Sequence, residues 1–287
     1  MTCIIATAEP LSEQRTQEIL EQFYRDGFAL IPGVLTLEEV TALRDKTDEL
    51  FADPELAERT NPELADKKYI QLGEHGESGD LVPFILRNTL ELDQIFRALL
   101  IREPIISLAE AVLGPDCKFC GQNVLRNEPG VAITRWHVDG AVHFPLPDGV
   151  ARHDPRIRMP VMWLTVQMAL TDIESITEGP TQYVPGSHYA GRSPDDQDAP
   201  TFEGRGPTSI LCQAGDIYLH DPQCWHRGAP NRSDRPRYLL QSQYAAHSAF
   251  WRFNLCNRVP VDEHTLQNAS DRLLRVLGRS RPNGGHG

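Results

Sequence analysis

Val161-Met-Trp-Leu-Thr-Val-Gln-Met-Ala-Leu170 is the stretch whose reading decides the fold. Met162, Leu164, Val166, Met168 and Leu170 recur at every second position, so on an extended strand they share one apolar face. Trp163, Thr165 and Gln167 fall on the other face. A strand that is apolar behind and carries Thr and Gln in front fits a sheet backed by a core and facing a polar, ligand-sized interior. The same texture continues on both sides. Candidate strands lie at 117–126, 132–138, 159–170, 181–184, 208–211, 215–219 and 236–246, with breaks at Pro129-Gly130, Asp148-Gly149, Gly179-Pro180, Pro185-Gly186, Gly215 and Asn231. Several short strands separated by turn residues predict a β-sandwich or barrel.

Upstream, residues from about 12 to 114 read as helical with interruptions. Ile19, Leu20, Phe23 and Tyr24 stand at helical spacing until Asp26-Gly27 ends the run, and Phe28-Ala-Leu-Ile-Pro32 is a short strand. Thr36-Leu-Glu-Glu39 is a capping box, and Val40, Leu43, Leu50 and Phe51 trace the buried face of a helix running to about 52. Residues 53–80 are charged and weakly periodic, which predicts a loop over one end of the fold. Two helices are expected at about 90–100 and 104–113, the second with Pro104 near its first turn and Gly114 at its close. The predicted organisation is a single domain over 1–287. It comprises a helical part at about 12–114, a β core at about 115–250 and a polar tail at about 278–287.

Composition narrows the partners. Lys and Arg number 28 against 40 for Asp and Glu, a net charge of −12, which repels nucleic-acid phosphates and anionic lipid. No apolar run approaches the roughly 20 residues of a membrane span, and Met1–Pro10 lacks the basic flank of a secretion signal. A soluble, cytoplasmic protein acting on a small molecule is expected, with neither nucleic acid nor membrane as partner. The six cysteines, at 3, 117, 120, 212, 224 and 256, include one C-x-x-C at Cys117 and Cys120 but no second half of a zinc site. Reduced, mostly buried thiols are the expectation.

The chemistry begins at Trp136-His-Val-Asp139. On a strand, positions i and i+2 share a face, so His137 and Asp139 project together. One imidazole and one carboxylate are two of the three ligands of a 2-His-1-carboxylate site, which suits non-heme Fe(II) because it leaves coordination positions open. Asp216-Ile-Tyr-Leu-His-Asp-Pro-Gln-Cys-Trp-His226-Arg-Gly228 offers the second imidazole. His226 is favoured over His220 because it lies beyond the polar turn, at the start of the next strand. Arg237 opens the strand Arg237-Tyr-Leu-Leu-Gln-Ser-Gln-Tyr244, where a guanidinium can hold a dicarboxylate through a two-pronged ion pair. Gln167 is placed on a polar interior face by its strand, and Asn123 is read in the same way. His188, in Pro185-Gly-Ser-His188, reads as a turn residue hydrogen-bonded within its own turn. His143 and Phe144 follow Asp139 on a loop expected at the barrel mouth, and 147–158 reads as part of a lid.

The order His137-x-Asp139, Glu178-Gly-Pro-Thr-Gln-Tyr-Val-Pro-Gly-Ser-His188, His226-x-Gly228, Arg237 resembles the phytanoyl-CoA dioxygenase family of Fe(II)- and 2-oxoglutarate-dependent oxygenases. The resemblance runs from Asp26-Gly-Phe-Ala-Leu-Ile-Pro-Gly33 to about residue 250. It implies a mainly β fold with flanking helices, a double-stranded β-helix or jelly-roll barrel of cupin-like form. It implies Fe(2+), 2-oxoglutarate and O2 as cofactor and cosubstrates. On this resemblance His137, Asp139 and His226 are the iron ligands, and Arg237 pairs with the far carboxylate of 2-oxoglutarate. Thr181 matches a cosubstrate-binding Thr. Thr134 stands where relatives often have Gln, and Gln167 where they often have Trp.

The implied activity is hydroxylation or another oxidation of a small organic metabolite in secondary metabolism, with release of succinate and CO2. Related halogenases lack the carboxylate, so Asp139 favours oxidation over halogenation. Two competing readings are a cupin-like metal-dependent hydrolase and a catalytically silent small-molecule-binding protein. Arg237 with Thr181 argues against the first, and a full set of three metal ligands against the second.

Overall fold

The computed structural model describes residues 5, 8–61, 67–71, 83–131, 133–195, 198–253 and 261–279. Thirteen strands are present among them: β1 (Phe28–Ile31), β2 (Thr60–Asn61), β3 (Lys67–Lys68), β4 (Ile70–Gln71), β5 (Phe84–Arg87), β6 (Lys118–Asn127), β7 (Ile133–His137), β8 (Trp163–Ala169), β9 (Thr181–Tyr183), β10 (Thr208–Ser209), β11 (Ile217–His220), β12 (His226–Gly228) and β13 (Arg237–Ala245). They form a seven-stranded sheet in the order β1-β11-β8-β13-β6-β5-β4, a four-stranded sheet in the order β10-β9-β12-β7, and the small β2-β3 pair. This is a jelly-roll with flanking helices.

The alternation in β8 places its side chains as its sequence predicts. Leu164, Val166 and Met168 are fully buried behind the large sheet with Ile217, Leu219 and Leu240, packed against Ile19 and Phe23 of α1 (Glu13–Asp26), Leu43 of α2 (Leu37–Phe51) and Ile105 of α6 (Ile105–Leu113). Each such side chain is worth about 1.5–3 kcal/mol of burial. The other face of the sheet turns inward. There Phe28, Ala169, Tyr218 and Leu239 meet Tyr183 of the small sheet.

Local signals set the ends of these helices. Ser12 caps α1 by accepting from Arg15 N, and Thr36 and Glu39 complete the reciprocal capping box of α2. Gly27 closes α1 at φ +87°, donating its N–H to Phe23 O. A Cβ at Gly27 would lie 2.7 Å from His188 Nδ1 and 2.8 Å from Cys224 Sγ, so glycine is required for contact as well as for conformation.

Three expectations change. The first hundred residues carry more strand than expected: β1 matches the short strand read at Phe28–Pro32, but β4 and β5 also join the large sheet. The stretch 53–80 is not one loop: Asp53 caps the short helix α3 (Pro54–Glu58), and β2, β3 and β4 follow, while 62–66 and 72–82 lie outside the described residues. The helix expected at 90–100 is broken into α4 (Thr89–Leu92), α5 (Gln94–Ala98) and a 3-10 turn, because Asp93 is extended and caps α5 through Ile95 N. Beyond the barrel come α7 (His247–Phe253), α8 (Glu263–Asn268) and α9 (Asp271–Leu277), and most of the expected tail, 280–287, is outside the described residues.

Between β7 and β8, residues 138–162 contain neither helix nor strand. Cys117, Cys120, Cys212 and Cys224 are free and buried, and no helix among the described residues is long and apolar enough to cross a membrane. Cys3 and Cys256 lie outside the described residues.

Candidate metal centre

His137 ends β7 and His226 opens β12, and the register of these antiparallel strands sets the two residues directly opposite one another. Asp139 follows two residues after His137, with its N–H donated to Pro222 O at 2.9 Å. One ligand atom from each of His137, Asp139 and His226 lies within 4.8 Å of the others, the one such cluster among the described residues. Asp139 Oδ1 is 3.6 Å from His137 Nε2 and 3.6 Å from His226 Nε2. His137 Nδ1 is 2.9 Å from Arg135 O, and His226 Nδ1 is 2.8 Å from Cys224 O. In each ring Nδ1–H therefore donates to a carbonyl, and the Nε2 lone pair is left for a metal.

The electrostatics of the cluster are coupled. Burial alone would raise the carboxyl of Asp139, but the neighbouring imidazoles of His226 and His220 hold it well below the usual range. Burial opposes charge on His226, yet the Asp139 carboxylate outweighs it and raises its pKa. His137 is shifted downward, by burial and then by its neighbour His226. His220 is pushed down to about 4, chiefly by burial, and is neutral at ordinary pH. A divalent cation is the natural replacement for the proton shared in this group.

Arg237, at the head of β13, is buried. Its Nη1 donates to Gly179 O and its Nε has no partner. Among the described residues no carboxylate pairs with it, although the shift that burial imposes is downward. A buried, unpaired guanidinium is costly, and a ligand carboxylate would offset that cost. Thr181 is buried on β9, where its Oγ1 lies 2.8 Å from Tyr218 Oη of the opposite sheet. Tyr183, two residues on, has its ring centroid 5.8 Å from that of His226 and 6.4 Å from that of Tyr218, and its hydroxyl has no partner.

Gln167 and Asn123 both stand opposite Gln241 of β13, making a row of three amides across the large sheet. Gln167 Oε1 is buried without a partner, whereas Asn123 Oδ1 accepts from Asn88 N at 3.4 Å. Thr134 lies in β7, and its side chain is outside the described residues. The orphaned donors, Arg237 Nε and Tyr183 Oη, fit a small polar dianion, whereas the orphaned Gln167 Oε1 is an acceptor and calls for a donor.

His188 departs from its sequence reading. It sits in the 3-10 turn Ser187–Tyr189, but its Nε2 bonds Tyr24 O at the end of α1, at 3.2 Å, rather than a group of its own turn. Its pKa falls to about 4 through burial. At the barrel mouth His143 N donates to Gln223 Oε1 at 2.8 Å, and the His143 ring lies 6.1 Å from that of Trp163. A cavity of about 560 Å³ opens between α1 and the 152–158 segment, but no triad residue lines it. Of its five arginines, Arg25, Arg152 and Arg205 pair with Asp26 and Glu203, Arg156 pairs with Asp154, and Arg158 lies over the Tyr24 ring.

The residues that sequence reasoning passed over are Tyr183, Tyr218 and Gln241. Tyr183 stands two positions from Thr181 and Gln241 four from Arg237, so the period of two was an available signal there; Tyr218 stands two from His220, which the sequence reading set aside.

A family model described as phytanoyl-CoA dioxygenase (PhyH) matches residues 23–239. The ectoine dioxygenase of Streptomyces coelicolor is 26% identical over 245 residues, covering 76% of this chain and 73% of that protein. An uncharacterized protein of Mycobacterium tuberculosis is 24% identical over 220 residues, covering 76% and 71%. Among solved structures, the epimerase SnoN in complex with Fe3+, alpha ketoglutarate and nogalamycin RO shares 23% identity at a TM-score of 0.61, covering 83% of this chain and 86% of that one. HygX from Streptomyces hygroscopicus, with nickel, 2-oxoglutarate and hygromycin B bound, shares 18% identity at a TM-score of 0.56, covering 83% and 88%.

Proposed function

The chain belongs to the phytanoyl-CoA dioxygenase family, an iron(II)- and 2-oxoglutarate-dependent dioxygenase family, and we propose on that footing that His137, Asp139 and His226 hold its iron while Arg237 receives the far carboxylate of 2-oxoglutarate. The observation that carries this reading is the pairing of a His-Asp-His cluster with a buried guanidinium that no carboxylate among the described residues neutralises. Iron with 2-oxoglutarate and O2 supplies the oxidising chemistry, releasing succinate and CO2. The residues of this chain hold geometry. The carbonyls of Arg135 and Cys224 fix the two imidazoles, and Thr181, braced by Tyr218, supplies a hydroxyl for the cosubstrate. Gln167 and Asn123 complete the polar wall, and Thr134 is assigned a cosubstrate contact from its place three residues before His137. A hydrolase has no use for the buried guanidinium.

The substrate is a small organic metabolite of secondary metabolism, consistent with relatives whose bound molecules are nogalamycin RO and hygromycin B. The acidic surface disfavours nucleic acid and anionic membrane as partners, and a cytoplasmic, single-domain enzyme is the reading that accompanies it. Oxygen-dependent conversion of 2-oxoglutarate to succinate, with Fe(II) added to metal-free protein, is the test. Succinate formation that persists in Arg237→Ala with unchanged 2-oxoglutarate dependence would remove the assignment.

A further inference from the structure

The two oxygens of Asp139 face different imidazoles. Oδ1 is the atom 3.6 Å from both His137 Nε2 and His226 Nε2, while Oδ2 is 3.7 Å from His220 Nε2. His220 ends β11, 1% exposed, with its ring 5.0 Å from that of His226 and 5.3 Å from that of Tyr183. Neither of its ring nitrogens has a hydrogen-bond partner. A buried imidazole with no partner costs free energy that a hydrogen bond would recover, and Oδ2 is the acceptor it faces. The gap exceeds a formed hydrogen bond, and a side-chain adjustment of ~1 Å closes it.

We propose that His220 is a positioning residue for the metal centre. Its Nε2–H donates to Asp139 Oδ2, which holds the carboxylate to the metal through Oδ1 alone. Resting on the ligand assignment above, this explains how a short carboxylate beside three imidazoles is kept from chelating through both oxygens. A second bound oxygen would take one of the coordination positions that cosubstrate and O2 require. It also separates the two histidines of the Asp216–Gly228 segment by their free atoms. His226 has Nδ1 satisfied by a carbonyl and Nε2 as a lone pair, as a ligand needs. His220 has no carbonyl to set its tautomer, so the carboxylate itself does so.

The test measures Co(II) and Fe(II) affinity under anaerobic conditions, together with the visible spectrum of the Co(II) form. It compares His220→Gln, whose amide nitrogen mimics Nε2, with His220→Asn, whose amide mimics Nδ1, and with His220→Phe. The expected result is a ten- to hundredfold loss of metal affinity and a shifted Co(II) spectrum in the Phe and Asn variants. The Gln variant should return close to the parent in both. The Gln–Asn contrast stands if the Phe variant does not fold, and melting of each metal-free protein separates a structural loss from a metal-specific one. Parent affinity and spectrum in both Phe and Asn variants would overturn the proposal. So would loss of metal from all three variants as complete as in His226→Ala, which would make His220 a ligand. Full metal occupancy in His226→Ala would instead strike the ligand assignment itself.

Discussion

His137 and His226 stand face to face across one antiparallel pair of strands, with ring centroids 4.2 Å apart and each Nδ1 tied to the carbonyl two residues before it. The same tether on two strands leaves two Nε2 atoms converging on Asp139. Replacing His226 with Ala should therefore remove most bound iron. His188→Gln should leave metal content near the parent value, since His188 serves the end of α1. Elemental analysis of the purified variants checks both, and equal iron in all three proteins would contradict the assignment.

Arg237→Lys keeps a charge but loses the planar fork. One charge-assisted hydrogen bond is worth about 1.5–3 kcal/mol, so 2-oxoglutarate should bind about ten- to a hundredfold more weakly. The dependence of succinate formation on 2-oxoglutarate concentration measures this directly, and an unchanged Michaelis constant would redirect attention to another cation.

On the proposed ligand assignment, Asp139 fills the position that a halide would need. With a true substrate, iron and 2-oxoglutarate, turnover in excess chloride should give no chlorinated product by mass spectrometry. Asp139→Gly should cripple turnover, because the metal loses its anionic ligand. A chlorinated major product from the parent enzyme would reverse the reading.

Asp221 gives a pH prediction independent of the metal. Burial pushes its carboxyl up to about 7, against a hydrogen bond from Gln223 N. Between about pH 4 and pH 7 the folded chain keeps a proton that the unfolded chain releases, so stability falls as pH rises through that window and levels off above it. Asp221→Asn removes the titration while keeping an oxygen for Gln223. The variant's gain over the parent should grow from near zero at pH 4 to about 4 kcal/mol well above pH 7. Denaturant unfolding at pH 5 and pH 8 tests it, and an equal difference at both would refute the account.

What could be read in advance followed from local patterns. The period of two in 161–170 separates core from interior, and Thr36 to Glu39 announces a helix start through groups three residues apart. Strand spacing in H-x-D pointed to the pair, although Asp139 lies just past the end of β7, with its N–H held by Pro222 O. By contrast, Phe84–Arg87 is a four-residue strand, too short to show a period, and its partner β6 lies more than thirty residues away. Asp93 broke a helix because its own side chain capped the next one. The pairing of Thr181 with Tyr218, and of His220 with Asp139, exists only once the two sheets face each other. No single strand carries that information.

The irregular run from 138 to 162 leaves the small sheet directly beside Asp139 and enters the large one at Trp163. For an engineer this is a cassette with two fixed ends. Gln223 pins its first residues by donating to Asp139 O at 3.4 Å and accepting from His143 N, and Leu146 and His153 dock on the backbone of Gly191 and Tyr189. The stretch between those docks, 147–152, can be exchanged or lengthened while His137, His226 and Arg237 stay on regular strands. A library confined to those six positions would vary the loop that follows Asp139 and hold the His-Asp-His cluster constant.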